Sequence, residues 1–258
     1  MHILATDFDG TLSRRHGVEQ IDLDAIDRFR AAGNLFGVVT GRAGDMYDML
    51  VRDHIPFDFV IVMNGAMSID TEGNTVFEET TDGACLRGIM ELLGKEEYNN
   101  FLSCVIHKTR KTFHQGYPDG WDKEDYLPHT EIDGISRFTQ LNTWLRKDEI
   151  AMRATAEINE KYGEYVNALQ NGTCIDIPPR GIDKGIGVAR YADQMGVPHD
   201  NVWCAGDNMN DMAMITRFHG CAVSNARAEV KEAAEATYDG IHAIIDHILE
   251  VQAAESAE

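Results

Sequence analysis

Positive charge is scarce in this chain of 258 residues: 23 Lys and Arg stand against 43 Asp and Glu, a formal net charge of −20. A surface of that sign repels nucleic acid and anionic lipid, so neither is expected as a partner. Long apolar runs are lacking too. No stretch approaches the ~20 residues that cross a bilayer, and no membrane span is expected. Met1 is not followed by a basic start, an apolar stretch and a small-residue cleavage site, which points to the cytoplasm. The five cysteines (Cys85, Cys104, Cys174, Cys204 and Cys221) are odd in number, and no two have Cys-x-x-Cys spacing. That argues against a disulfide framework or a zinc site and for buried thiols in a reducing compartment. P-loop spacing and a complete Gly-x-Gly-x-x-Gly are both missing. There is no internal repeat and no low-complexity tract beyond the Ala/Glu C-terminus.

What is present suits a folded protein: 43% apolar and 26% charged residues, in a length that allows one large domain or two modest ones. Short apolar runs at 2–8, 35–40 and 59–63 read as buried strands. Helical spacing at 21–32 and 45–54 falls between them. Strand alternating with helix is the pattern of a parallel sheet with crossover helices. A small hairpin follows at 67–79. From 83 to 180 the pattern changes to a helix at 85–93, a strand pair at 101–114, a polar stretch with Gly116, Pro118, Gly120 and Pro128, and a helix at 153–162. A hairpin 165–177 then turns at Gln170-Asn171-Gly172-Thr173. Beyond Pro178-Pro179-Arg180-Gly181 the alternation resumes. Helices are expected at 184–195, 211–217, 230–236 and 241–252, and strands at 202–205 and 220–223. The expected architecture is therefore α/β: a Rossmann-like parallel core in two pieces, 1–82 and 181–258, with an inserted α+β module at 83–180. The charge supports the division. The insert holds 12 basic and 15 acidic residues, the remainder 11 and 28, so an acidic body carries a near-neutral middle.

The residues able to do chemistry fall at the expected carboxyl ends of the core strands, where ligands bind in open α/β sheets. Asp7-Phe8-Asp9-Gly10-Thr11 sets two carboxylates two residues apart. One can serve as a nucleophile and the other as a general acid, with a divalent ion offsetting their charge. Thr40, in Val-Val-Thr-Gly-Arg, offers a hydroxyl beside the amides of Gly41 and Arg42, a set suited to phosphate oxygens. Lys184 opens a helix, where a cation opposes the helix dipole. That position makes sense if Lys184 faces an anion. Gly206-Asp207-Asn208-Met209-Asn210-Asp211 adds two more carboxylates in an oxygen-rich turn suited to Mg²⁺. The Glu that closes a calcium loop is missing. Four carboxylates gathered at one point need a divalent cation.

This ordered set resembles the haloacid-dehalogenase superfamily of aspartyl phosphatases. Met63-Asn64-Gly65-Ala66, Ser224-Asn225-Ala226 and the place of the insert resemble its Cof-like branch, whose type IIB cap lies between the second and third motifs. The resemblance implies that Asp7 attacks phosphorus and that Asp9 protonates the leaving alcohol and then activates water. It implies Mg²⁺ held by Asp7, the Asp9 carbonyl and Asp207, with Asp211 orienting that shell. Thr40, Gly41, Lys184 and Asn210 would lie at the phosphate, and Arg42 and Asn64 would line the substrate cleft. The expected partner is a small phosphorylated metabolite (a sugar phosphate, a nucleotide or pyridoxal phosphate) acted on by a monomer or small homo-oligomer. A phosphomutase or phosphotransferase using the same intermediate stays open, as does, in a different class, a phospho-accepting signalling domain.

In the insert, the basic turn of the 101–114 strand pair supplies cleft candidates: His107, Lys108, Arg110, Lys111 and His114. His242 and His247, five residues apart, are expected to be exposed and not to bind metal.

Overall fold

The apolar run at the start of the chain becomes β1 (Ile3–Thr6), with all four residues buried. The computed structural model describes residues 1–95, 101–114 and 126–256, with backbone alone at 101, 111–114 and 126–130. After β1 come α1 (Gln20–Ala31), β2 (Leu35–Val39), α2 (Asp45–Arg52), β3 (Phe59–Val62), β4 (Met67–Asp70) and β5 (Thr75–Glu78). In α1, Asp22, Ala25, Ile26 and Phe29 turn inward at helical spacing. Gly33, with φ 82°, follows the helix end.

The middle of the chain forms β6 (Thr81–Asp82), α3 (Leu86–Leu93), β7 (Phe101–Ile106), β8 (Thr109–His114), β9 (Tyr126–Pro128) and β10 (Arg137–Phe138). These are followed by β11 (Gln140–Trp144), α4 (Asp148–Tyr162), β12 (Leu169–Asn171) and β13 (Cys174–Ile177). The return segment supplies α5 (Lys184–Met195), β14 (Val202–Gly206), α6 (Met212–Ile215), β15 (His219–Val223), α7 (Ala228–Ala233), β16 (Ala236–Tyr238) and α8 (Ile241–Glu255). Two compact units result, Met1–Val76 with Asp183–Glu258, and Phe77–Ile182. Among the described residues, no helix is long and apolar enough to cross a membrane.

In the first unit the sheet order is β16-β15-β14-β1-β2-β3-β4-β5. Pairing is parallel from β16 through β3 and turns antiparallel at β4. From β1 the chain first builds outward through β2 and β3, and later returns to build β14, β15 and β16 on the other side. The carboxyl ends of β1, β2 and β14 therefore flank a switch in strand order, where such sheets bind ligands.

The second unit has a six-stranded sheet, β12-β13-β11-β7-β8-β9, and a two-stranded ribbon, β10-β6. Alternate residues Leu102 and Cys104 of β7, Leu141 of β11, and Ile175 and Ile177 of β13 form one core with α3 and α4.

Several elements differ from the sequence expectation. The pairing of Ile106 with Thr109 closes the β7–β8 hairpin on His107 and Lys108 alone, so Arg110 and Lys111 lie in β8. Strand β12 begins at Leu169, while Val166 makes only an isolated bridge to Pro179. Helix α4 begins five residues before 153, with Asp148 and Glu149 in its first turn complementing the dipole. The 211–217 helix becomes a 3-10 turn, Met209–Asp211, followed by the short α6. At 230–236 the apolar positions are Val230 and three alanines, too weak a pattern for periodicity to place the helix end. The helix ends at Ala233, and Ala236–Tyr238 pairs with β15 instead. His242 and His247 are half-buried: His242 Nδ1 lies 2.8 Å from the buried Asp22, and the His247 ring packs edge-on to Trp203. The expectations on Gly116, Pro118 and Gly120, and on the side chains of Lys111, His114 and Pro128, lie outside the described residues.

Glycine lets α5 come close to its neighbours. A Cβ on Gly187 would sit 2.6 Å from the Gly65 Cα, and one on Gly185 would sit 2.5 Å from the Ala213 carbonyl oxygen. Asp183 caps the helix, its Oδ1 accepting from the Ile186 N–H at 2.8 Å. These contacts set the position of Lys184, the first residue of α5. Gly187→Ala is expected to cost about 1–3 kcal/mol in urea unfolding, because it presses on backbone. An unchanged midpoint would show that the close approach is not required.

Candidate active site

Each core strand that flanks the switch point ends in a polar side chain. Asp7 follows β1, its N–H donating to the Ala205 carbonyl at 2.8 Å. Thr40 follows β2, and Asp207 follows β14. The Asp207-to-Asp211 turn closes on itself: Asp211 Oδ2 accepts from the N–H groups of Asp207 and Asn208, both at 3.0 Å. A Cβ on Gly206 would sit 2.5 Å from the Asp211 Cβ, so glycine is needed there for the Asp211 side chain to turn inward.

Lys184 is fully buried and joins these parts. Its Nζ donates to Asp7 Oδ1 at 2.5 Å and to Asp211 Oδ1 at 2.6 Å. Asp7, Asp207 and Asp211 bring one carboxylate oxygen each within 4.8 Å of one another. Three carboxylates and one ammonium leave an excess of two negative charges if all are ionised. The pKa shifts reflect that crowding. Burial pushes the Asp7 carboxyl up to about 8, with Lys184 opposing and Asp211 adding to the rise. Burial, then Asp211, raises Asp207. Burial opposes the Lys184 charge, yet Asp211 and Asp7 outweigh it and hold its pKa above the ordinary lysine value.

The donor set fits a small divalent cation. Oxygens around an octahedral Mg²⁺ at about 2.1 Å lie about 3 to 4.2 Å apart, close to the observed spread. Asp211 has both oxygens engaged, by Lys184 and by two backbone N–H groups. Asp7 and Asp207 are therefore the better direct ligands, and Asp211 the residue that orients them.

Asp9 stands apart from this trio. Arg42 Nε donates to its Oδ2 at 2.8 Å and Arg42 Nη2 to its Oδ1 at 2.6 Å, a two-pronged pair on half-exposed side chains. The guanidinium lies 5.4 Å from the Phe8 ring centroid. Thr40 is buried, and its Oγ1 accepts from the Arg42 N–H at 3.2 Å. Gly41 lies between them in the same turn. The Asn64 N–H donates to the Thr40 carbonyl at 3.0 Å. Met63, Asn64 and Gly65 carry positive φ in succession, 54°, 51° and 101°. Two of these are not glycine, so the turn after β3 is strained, as functional sites often are. Asn210 is half-buried in the Asp207 turn. All these residues belong to the first unit. Lys108 and Arg110 belong to the second, where His107 Nδ1 lies 2.8 Å from Glu78.

Sequence reasoning gave no role to Thr11, which is buried and donates from Oγ1 to Asp207 Oδ1 at 3.1 Å. Its one signal was a hydroxyl directly after Asp-Gly. The strain at Met63 left no signal in composition or spacing.

The haloacid dehalogenase-like hydrolase family matches residues 4–242. The chain belongs to that family. A Yersinia pestis HMP-PP phosphatase is 24% identical, over 89% of this chain and 86% of its own. A HAD/Cof-like hydrolase from Plasmodium vivax superposes with a TM-score of 0.79 at 19% identity, covering 97% of this chain and 96% of that one. A HAD subclass IIB sugar phosphatase does so with 0.79 at 17% identity, covering 98% and 99%. The fold is that of the Cof-like, subclass IIB members.

Removing the buried ammonium tests the charge balance. In metal-free buffer at pH 8, Lys184→Met is expected to cost about 3–5 kcal/mol of stability, and less at pH 5.5. A carboxyl whose folded pKa stands above its unfolded value contributes stability at low pH and loses it as pH rises through the folded value. Asp7 and Asp207 are both raised in this way, and losing Lys184 raises them further. Urea unfolding at the two pH values reads the difference; an equal loss at both would contradict the charge balance.

Proposed function

We propose that the protein is a Mg²⁺-dependent phosphatase that hydrolyses a small phosphomonoester through an aspartyl-phosphate on Asp7. The observation that carries this reading is the buried Lys184 Nζ held between Asp7 and Asp211, with Asp207 beside them. It is the arrangement that phosphoryl transfer needs: an aligned nucleophile and positive charge to meet the spreading negative charge.

Asp7 and Asp207 would hold the ion, with Asp211 fixing the turn and the Asp9 carbonyl a further oxygen. When bound, Mg²⁺ supplies positive charge to the phosphoryl oxygens. An Asp7 carboxylate oxygen attacks phosphorus, the bond to the leaving oxygen breaks, and Asp9 gives that oxygen its proton. A water molecule then attacks the same phosphorus, Asp9 takes its proton, and the bond to Asp7 breaks to release phosphate. An ammonium has three donors. Lys184 spends two on carboxylates and has one for a phosphoryl oxygen. The Thr40 hydroxyl, the amide of Gly41 and Asn210 are the further candidates for the phosphate. Arg42 and Asn64 are those for the leaving group. The named relatives, an HMP-PP phosphatase and a sugar phosphatase, support phosphatase activity on a small phosphorylated metabolite. The substrate is a sugar phosphate, nucleotide or pyridoxal phosphate type of metabolite, and a soluble cytoplasmic enzyme, monomeric or a small homo-oligomer, accords with the strong acidity.

Phosphate release from a panel of phosphomonoesters tests the reading. Release is expected with Mg²⁺ and not with EDTA. Asp7→Asn should lower kcat at least about a thousandfold, and Asp9→Asn should slow esters with poor leaving groups most. Full activity in Asp7→Asn, or release indifferent to EDTA, would overturn it.

A further inference from the structure

The Ser224-Asn225-Ala226 turn after β15 has no part in the chemistry described above, yet it reaches both acidic loops of the first unit. Asn225 Nδ2 donates to the Gly10 carbonyl at 2.7 Å, across 215 positions of sequence. A carbonyl only accepts, so it is the NH₂ end of the side chain that faces Gly10. Two residues on, the Arg227 N–H donates to the Asp207 carbonyl at 3.0 Å. The turn is itself anchored. The Ala226 N–H donates to the Val223 carbonyl at 2.9 Å, and Lys231 Nζ of α7 donates to the Ser224 carbonyl at 2.5 Å.

Strand β15 is not a neighbour of β1, since β14 lies between them. Ladder hydrogen bonds fix the strands and stop where the strands end, so the sheet alone does not set the spacing of the loops beyond it. An Asn in a turn often bonds its own backbone; Asn225 instead bonds the loop after β1, two strands away. Gly10 is the residue there that most needs a tie. Its φ is 89°, and a Cβ on it would sit 2.5 Å from Asp207 Oδ2. Glycine makes room for that carboxylate, and it is also the residue with the freest backbone. Charge works against the arrangement as well, because Asp7, Asp207 and Asp211 repel one another when ionised. Lys184 draws Asp7 to Asp211, while Asp207 is met from the β1 side by the Thr11 hydroxyl at 3.1 Å. Thr11 follows Gly10, and the carbonyl that Asn225 holds belongs to the peptide joining the two.

We propose that Asn225 is a positioning residue: by holding the Gly10–Thr11 peptide it keeps the turn after β1 against Asp207, and so sets the spacing of the oxygens that would take the divalent cation. This rests on the phosphatase reading given above. Asn225 is exposed and brings no charge of its own, so it acts through the loop that it ties. A small divalent ion demands near-ideal octahedral geometry, and a loop that must be ordered on binding lowers affinity. A turn already fastened to Asn225 avoids that loss.

The test is calorimetric titration of Mg²⁺ into the native protein and into Asn225→Ala, with thermal unfolding to confirm that the variant is folded. Loss of the one hydrogen bond that orders the turn should weaken Mg²⁺ binding about three- to tenfold. A merely structural tie would lower the unfolding temperature and leave the Mg²⁺ affinity where it was, and that result overturns the proposal. A native protein that binds no Mg²⁺ contradicts the metal-dependent reading instead. The tie is then decided by hydrogen exchange in the metal-free protein. The amides of Gly10, Leu12 and Ser13 donate within the turn, to the carbonyls of Ser13, Asp7 and Phe8. In Asn225→Ala they should exchange about three- to tenfold faster, with the β2 amides unchanged. Equal exchange in the two proteins overturns it.

Discussion

A single buried ammonium organises the first unit. Lys184 is sealed from solvent at the first residue of α5 and bridges the end of β1 to the turn after β14 through Asp7 and Asp211. A charge so placed is costly unless it is paired and hydrogen-bonded, and here it has two carboxylate partners from two different strands. Those partners in turn carry more negative charge than one lysine can balance. A bound cation, or a proton on Asp7, reduces that excess.

The surrounding fold shows what is spent to hold this arrangement. Gly65, Gly185 and Gly187 let backbone meet backbone around the start of α5. Met63 and Asn64 accept left-handed backbone at the end of β3. Gly10, with φ 89°, leaves room for the Asp207 carboxylate, which a Cβ there would approach to 2.5 Å. Such features reduce stability locally and persist because neighbouring elements over-determine them. They gather around residues 63–65 and around 7–11, 183–187 and 206–211, the last three being the segments that carry the charged side chains.

Much of this was legible in the amino-acid order. Asp7, Thr40 and Asp207 fall at strand ends because the parallel α/β alternation is written in short apolar runs, and runs such as 35–40 and 59–63 became β2 and β3 with small boundary shifts. Helix α5 runs over the residues expected for it, Lys184 to Met195. Less legible were features set by tertiary contact. The pairing of Asp9 with Arg42 depends on two turns meeting in space. Strand β16 exists because β15 offers it an edge, and its three residues carry too little pattern to announce that. The turn of the β7–β8 hairpin was expected at Lys108-Thr109-Arg110-Lys111, because its three basic residues mark it more visibly than pairing does.

The charge balance at Lys184 is tested most directly by calorimetric titration of Mg²⁺ into the metal-free protein and into Asp207→Ala. One ion should bind per native chain, and the binding should be lost or greatly weakened in the variant. No heat at millimolar Mg²⁺ with the native protein, or the same binding in both, would contradict a cluster that needs a divalent cation.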